Sequence, residues 1–298
     1  MRVAAIDVGT NTALLTIADG AQPIEERAEI VRLGEGLDKT GRLKDEAIAR
    51  TVAVVEDYAR AIARHGCERV AAVTTEAVRK AANGGDFVAR ASAALAPVGG
   101  RMEVIDGERE ARLSWRAVAS SFPSLHGPRT VVDIGGGSTE LIVGEREVEG
   151  VISLPIGSVR LTERIVANDP PTQEEAARLC ATVDEALVRA PALRGALVGI
   201  AGTVTTLGAM AQRLDSYDAT RVHGATLSRG DVDGLVATIG ATPLAELRRT
   251  PGLEPKRADV IFAGAVILQR VMARAGVDAC IVSDRGIRWG LIYELEGR

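Results

Sequence analysis

The same short pattern occurs twice in the chain, 126 residues apart. A-I-D-V-G-T-N-T-A-L-L-T-I-A near the N-terminus aligns without a gap on V-V-D-I-G-G-G-S-T-E-L-I-V-G, setting Asp7 on Asp133 and Gly9 on Gly135. Each copy is an apolar run ending in an aspartate, a glycine-bearing turn with hydroxyl residues, and a second apolar run. The offset is the length of a domain rather than of a solenoid repeat. It predicts two related α/β lobes, each opening on a strand–turn–strand unit, with a cleft where the two hairpins face each other. The alternation of apolar runs with helical periodicity agrees. In the first lobe it predicts strands from Val3, Ala13 and Glu29, a helix over 44–65, strands over 69–74 and 102–105, and a helix over 108–120. The stretch S-F-P-S-L-H-G-P-R then breaks the pattern. The expected lobes are therefore 1–124 and 125–298, with the last helix packing back on the first lobe.

Three consecutive glycines in D-I-G-G-G-S-T-E let main-chain amides crowd around a ligand, a geometry suited to phosphate oxygens. Asp133 ends one strand and Glu140 begins the next, and a carboxylate on an apolar run is costly without a partner. Mg²⁺ suits such a pair, because it takes one or two carboxylates, keeps waters and bridges to phosphate. A tight hairpin with two solvated acids would also satisfy these glycines taken alone. The dinucleotide fingerprint is excluded, since the glycines lead into another apolar run rather than a helix, and the Walker pattern is absent. G-I-A-G-T-V-T-T-L reads as strand, glycine turn and helix N-terminus, a ready anion site or an ordinary connection.

Composition narrows the partners. Aromatic residues are only 3% of the 298, so stacking platforms for single-stranded nucleic acid are scarce. A net charge of −4 argues against a polyanion-coating surface, so an anionic substrate must be held locally. Cys67, Cys180 and Cys280 are far apart and form no C-x-x-C, and no H-E-x-x-H occurs, which predicts buried free thiols in a reducing compartment. No signal-peptide stretch and no apolar run of membrane-spanning length is present. The expectation is a cytoplasmic protein with neither nucleic-acid nor membrane partner. Phosphoanhydride hydrolysis would further need a base for water. V-I-D-G-E-R-E-A-R-L offers Asp106, Glu108 and Glu110, although acids in a helix's first turn commonly serve only the dipole.

The motifs I-D-V-G-T-N-T, R-L-G-E-G-L, T-E-A-V-R-K-A-A-N, G-E-R-E-A and V-D-I-G-G-G-S-T-E, followed by A-G-T-V-T-T-L, V-H-G-A-T-L and R-G-I-R-W-G, stand in one order along the chain. In that order they resemble the exopolyphosphatase and guanosine pentaphosphate phosphohydrolase (Ppx/GppA) family of the actin, Hsp70 and sugar-kinase superfamily. The likeness covers essentially the whole chain. It implies an α/β fold of two actin-like, ribonuclease H-like lobes and an Mg²⁺-dependent phosphohydrolase, with Mn²⁺ as a substitute ion. By the resemblance Glu110 activates water. Asp133 and Glu140, with Asp7 as the matching acid, bind metal and phosphate. The phosphate loops are Gly9, Thr10, Asn11 and Thr12, and Gly135, Gly136, Gly137 and Ser138, joined by Arg79, Gly202 and Thr203.

Inorganic polyphosphate is the expected substrate and guanosine pentaphosphate the alternative. A small-molecule kinase and a non-enzymatic alarmone sensor are the rival classes. Lys80, Arg112, Arg116, Arg160, Lys256 and Arg257 are candidates for guiding a polyanion. Asp106 stands where the family commonly has serine, and a carboxylate near Glu110 would raise its pKa. Long family members carry a further helical C-terminal region that this sequence does not include. Distributive cleavage with a preference for short or medium chains is therefore expected, read as a ladder when a uniform long polyphosphate is partly digested and resolved on a gel. Oligomeric state, a homodimer among the options, is left open.

Overall fold

The computed structural model describes residues 1–297, so the last residue of the expected second lobe lies outside the described residues. The chain divides into two compact units, one of Met1–Ala117 with the C-terminal segment from Gly286, the other Val118–Arg285.

In chain order the first unit contains β1 (Arg2–Val8), β2 (Thr12–Asp19), β3 (Gln22–Ile30), α1 (Leu37–Thr40), α2 (Asp45–His65), β4 (Arg69–Thr74), α3 (Glu76–Lys80), α4 (Gly84–Leu95), β5 (Met102–Val104) and α5 (Gly107–Ser121), whose last turn passes into the second. Its sheet runs β3-β2-β1-β4-β5, an antiparallel meander followed by two parallel strands. β1 is covered on both faces, which is why it reads as a continuous apolar run. Ile6, Val8, Leu15 and Ile17 pack with α2, whose Ile48, Val52, Val55, Ala59 and Ile62 recur at helical spacing. The other face carries Val3, Ala5, Ala18 and Val73. β3 begins at Gln22, well before the strand expected from Glu29. It is an edge strand paired only with β2, so Q-P-I-E-E-R needs no apolar alternation and admits a proline.

The second unit follows with β6 (Arg129–Ile134), β7 (Thr139–Gly144), β8 (Val148–Leu154), α6 (Ser158–Ile165), α7 (Gln173–Leu187), β9 (Ala196–Ile200), α8 (Ala201–Ala211), α9 (Ala219–Val222), β10 (Thr226–Ser228), α10 (Arg229–Ala241), α11 (Leu244–Leu247), α12 (Ile261–Ala275) and β11 (Ala279–Val282). The chain then returns to the first unit as α13 (Ile287–Leu295). The second sheet runs β10-β11-β9-β6-β7-β8. Antiparallel β8-β7-β6 next to parallel β9 and β11 repeats the first unit's β3-β2-β1-β4-β5, with β10 added at the edge. Each unit thus has the ribonuclease H-like arrangement of an actin-like lobe. α7 is fixed by a capping box of Thr172 and Glu175 and packs Leu179, Val183 and Leu187 into the core.

The division falls within α5, ahead of the Pro/Gly stretch that suggested a boundary at 124, and α13 counts with the first unit. Leu113 and Ala117 of α5 join Trp289, Ile292 and Tyr293 of α13 in the cluster on the first sheet's second face. Cys280 is buried, whereas the free thiols of Cys67 and Cys180 are only half-buried. Among the described residues no helix is long and apolar enough to cross a membrane.

Candidate active site

The first glycine turn joins β1 to β2. Gly9 donates to the Thr12 carbonyl and closes it. Behind it, the Gly34 amide donates to the Thr10 carbonyl at 2.8 Å, and the amides of Val31 and Arg32 both donate to the Asn11 carbonyl at 3.0 Å. Arg32 adopts φ +49°, a left-handed conformation that aims two successive amides at one oxygen. A Cβ at Gly34 would stand 2.4 Å from Thr10 Cγ2, so R-L-G-E-G-L is the segment that ties the turn from behind. With its carbonyls taken, the turn keeps the amides of Thr10 and Asn11, which donate to no acceptor among the described residues.

The second turn is built the same way by a different element. The Ser158 amide donates to Gly135 O, and those of Val159 and Arg160 donate to Gly136 O at 2.9 and 3.0 Å. Arg160 Nη1 donates to Gly137 O at 2.6 Å. The N-terminus of α6 therefore consumes the three glycine carbonyls. The amides of Gly136, Gly137 and Ser138 reach no carbonyl among the described residues. Arg160, expected to guide a polyanion, is instead 7% exposed and clamps the loop. Of the other basic candidates, Lys80 pairs with Glu76, Arg112 with Glu108, and Arg116 lies 4.0 Å from Glu294.

Carboxylates flank each turn. Asp133 and Glu140 are register partners on β6 and β7, so their side chains leave the same face, with Cβ atoms about 5 Å apart. Their neighbours Val132, Ile134 and Leu141 occupy the core face, which turns both acids to the opposite one. Both are buried, and Ser153 Oγ donates to Glu140 Oε1 at 2.6 Å. Two directly opposed carboxylates out of water repel unless a cation compensates them. Among the described residues no group of three or more His, Cys, Asp or Glu could hold an ion. The pair fits an ion that accepts two carboxylates and completes its shell with water and phosphate oxygens, as Mg²⁺ does.

In the first unit, Asp7 alternates with Val3 and Ala5 and so faces the side of the sheet covered by α5 and α13. Its Oδ1 is covered and has no hydrogen-bond partner among the described residues. Burial pushes its carboxyl up to about 7, partly offset by the Arg288 guanidinium. Glu110, 6% exposed, lies one turn before Leu113 on α5 and points to the same side. Arg79 Nη1 donates to the Ile105 carbonyl at 2.5 Å and lies 3.8 Å from Glu110 Oε2. Arg79 is thus beside the candidate base. Asp106 is exposed, and its Oδ1 accepts from the Arg109 amide at 2.8 Å, the work of a helix cap.

At the β9–α8 turn Ala201 adopts φ +68°. A Cβ at Gly202 would stand 2.3 Å from Arg257 Nη1, so only glycine admits the guanidinium over the start of α8. Helix N-terminus and guanidinium both favour an anion there. Thr203 is 5% exposed and packs against Gly264.

The profile described as the Ppx/GppA phosphatase family matches residues 14–298. The chain belongs to the Ppx/GppA phosphatase family. It is 41% identical over 318 residues to exopolyphosphatase 2 of Mycobacterium tuberculosis, covering 99% of each chain. Among solved structures, the Ppx/GppA enzyme of Aquifex aeolicus is 39% identical, with a TM-score of 0.83 over 99% of both chains. An exopolyphosphatase from Cytophaga hutchinsonii is 28% identical, with a TM-score of 0.89 over 100% of this chain and 98% of that one. Gly34, Gly157, Ser158 and the guanidinium of Arg160 hold the two turns in place, parts that the motifs alone do not assign. The signal for Gly34 was its place in R-L-G-E-G-L, and for Gly157 the glycine of P-I-G-S-V-R.

Proposed function

We propose that the chain is an Mg²⁺-dependent exopolyphosphatase that releases terminal orthophosphate from inorganic polyphosphate. The observation that carries this reading is the pair of glycine turns, each tied by its carbonyls and left with amides for phosphate oxygens. Phosphoryl transfer asks the protein mainly for positioning and charge stabilisation. Glu110 accepts the proton of a water whose oxygen attacks the terminal phosphorus, and the bond from that phosphorus to the bridging oxygen breaks. Orthophosphate leaves, and the polymer is one unit shorter. Arg79, fixed on the Ile105 carbonyl, orients Glu110 and lends positive charge to the phosphate end.

Asp133 and Glu140 would hold Mg²⁺, with Asp7 as the corresponding acid of the first turn and Mn²⁺ as a substitute. When bound, the ion would neutralise phosphate oxygens and the leaving group. Asp133→Asn and Glu140→Gln are expected to raise the Mg²⁺ concentration needed for half-maximal activity, with rescue by excess Mg²⁺ or by Mn²⁺. Unchanged metal titrations in both variants would remove these residues from the metal site.

The aromatic inventory favours a polyphosphate over a nucleotide. Trp115, Trp289, Tyr58, Tyr293, Phe87 and Phe262 are buried, and Phe122 is half-buried and stacked on His223 with ring centroids 4.9 Å apart. That leaves Tyr217, 51% exposed, as the one open aromatic face among the described residues, whereas a base is commonly held by stacking. Guanosine pentaphosphate is the alternative phosphoanhydride. Three free thiols are in keeping with a cytoplasmic setting.

A further inference from the structure

Thr75 opens the T-E-A-V-R-K-A-A-N motif that supplies Arg79, and it stands between the end of β4 and the start of α3. A threonine at that position ordinarily caps the helix by accepting from an amide of its first turn. Thr75 does not. With φ −120° and ψ −138° its side chain makes no capping bond, and its hydroxyl reaches no other partner among the described residues. Yet Thr75 is only 6% exposed. Its neighbour Thr74, 1% exposed, instead donates its Oγ1 to the Val8 carbonyl at 2.8 Å. A hydroxyl so covered and without a bond costs the fold something, because valine would fill the same space with nothing left unmade.

Register shows where that hydroxyl stands. β1 and β4 are parallel, with Asp7 beside Val73 and Val8 beside Thr74. The next level sets Thr75 beside Gly9, the first residue of the glycine turn, about 5 Å away by ordinary strand spacing. Val73 belongs to the cluster on the sheet's second face, and alternation turns Thr75 to that face too, the one that Glu110 approaches from α5. Arg79 is one turn further on. Its amide donates to the Thr75 carbonyl at 3.1 Å, and its Nη1 lies 3.8 Å from Glu110 Oε2. The unspent hydroxyl thus stands between the first glycine turn and the Arg79–Glu110 pair.

We infer that Thr75 is a further substrate-contacting residue: its hydroxyl donates a hydrogen bond to a non-bridging oxygen of the terminal phosphate as that phosphate sits against the first glycine turn. The inference deepens the phosphohydrolase reading and rests on it for the identity of the phosphate. A hydroxyl rotates to suit its acceptor, and hydrogen bonds to charged groups are the stronger kind. The free enzyme carries an unmade bond that the substrate completes.

The test compares Thr75→Val, Thr75→Ser and Thr74→Val by thermal melting, by steady-state phosphate release from polyphosphate, and by calorimetric binding of orthophosphate, the product, with Mg²⁺ present. Thr75→Val is expected to melt at or above the parent temperature, because it removes a covered polar group and breaks no bond. Its kcat/KM is expected to fall on the order of 10- to 10²-fold and its orthophosphate affinity about tenfold, the loss of one hydrogen bond to a charged group. Thr75→Ser keeps the hydroxyl and is expected to retain more than about a tenth of the parent kcat/KM. Thr74→Val strips the Val8 carbonyl of its donor and is expected to melt below the parent, the behaviour of a hydroxyl that serves structure. The proposal is overturned if Thr75→Val melts lower and loses activity only in step with that, or if it keeps the parent kcat/KM and orthophosphate affinity. A parent that binds orthophosphate but leaves polyphosphate intact would overturn the substrate reading alone, and the orthophosphate affinity of Thr75→Val would still decide the role of Thr75. A parent that neither cleaves polyphosphate nor binds orthophosphate would overturn both.

Discussion

Glu110→Gln is expected to lower kcat on polyphosphate by roughly 10²–10⁴ while leaving KM nearly unchanged, the usual consequence of removing a general base. The amide keeps the volume of a side chain that is 6% exposed and leaves Arg79, which lies 3.8 Å away, donating to the Ile105 carbonyl. What is lost is the capacity to take the proton from water. Phosphate release measured beside a thermal melt separates the two effects, because an intact melt with lost turnover assigns the defect to chemistry. Turnover close to that of the parent would place the base on another residue.

The second large effect concerns a residue with no side chain. Gly157→Ala is expected to abolish activity and lower stability. A Cβ there would fall 2.4 Å from the backbone C and O of Gly136 and 2.5 Å from the carbonyl carbon of Gly137. Neither neighbour is a side-chain tip that can rotate away. α6 must therefore retreat, taking with it the amides of Ser158, Val159 and Arg160 that hold the turn's carbonyls. The cost is at least that of an overpacked core, about 1–3 kcal/mol, plus about 1 kcal/mol for each hydrogen bond lost. Gly34→Ala makes the informative contrast. Its Cβ would meet Thr10 Cγ2 at 2.4 Å, a methyl that another rotamer removes, so the loss should be smaller. Gly85→Ala, with nothing within 4 Å, is the neutral control. Melting temperatures and phosphate release across the three variants check the order, and equal effects at Gly157 and Gly85 would refute the tied-turn account.

The two hairpins were legible because their signals are local: apolar run, aspartate, glycines, apolar run, stated twice. From that repeat the α/β class and the doubled sheet followed. The elements that tie the turns were not, because they act across space. α6 is an eight-residue helix whose N-cap, Gly157, makes no side-chain capping bond, so S-V-R-L-T-E-R-I carries little start signal. Arg160 looks like any helix arginine until its guanidinium is found on Gly137 O. Arg288 escaped for the same reason, since its partner Glu26 lies at the far end of the chain. The Pro/Gly stretch suggests a boundary at 124, whereas the division falls between Ala117 and Val118, inside α5. The resemblance implies a phosphate contact for Arg79, and the fold brings its Nη1 within 3.8 Å of Glu110.

The most direct test of the central claim is Mg²⁺-dependent phosphate release from inorganic polyphosphate, guanosine pentaphosphate and ATP, measured side by side at equal concentration of terminal phosphate. The expected result is the highest kcat/KM on polyphosphate, a lower one on guanosine pentaphosphate and little release from ATP, all abolished by chelation. Release from guanosine pentaphosphate alone, or none from any of the three despite tight binding of a guanosine nucleotide, would contradict the exopolyphosphatase assignment.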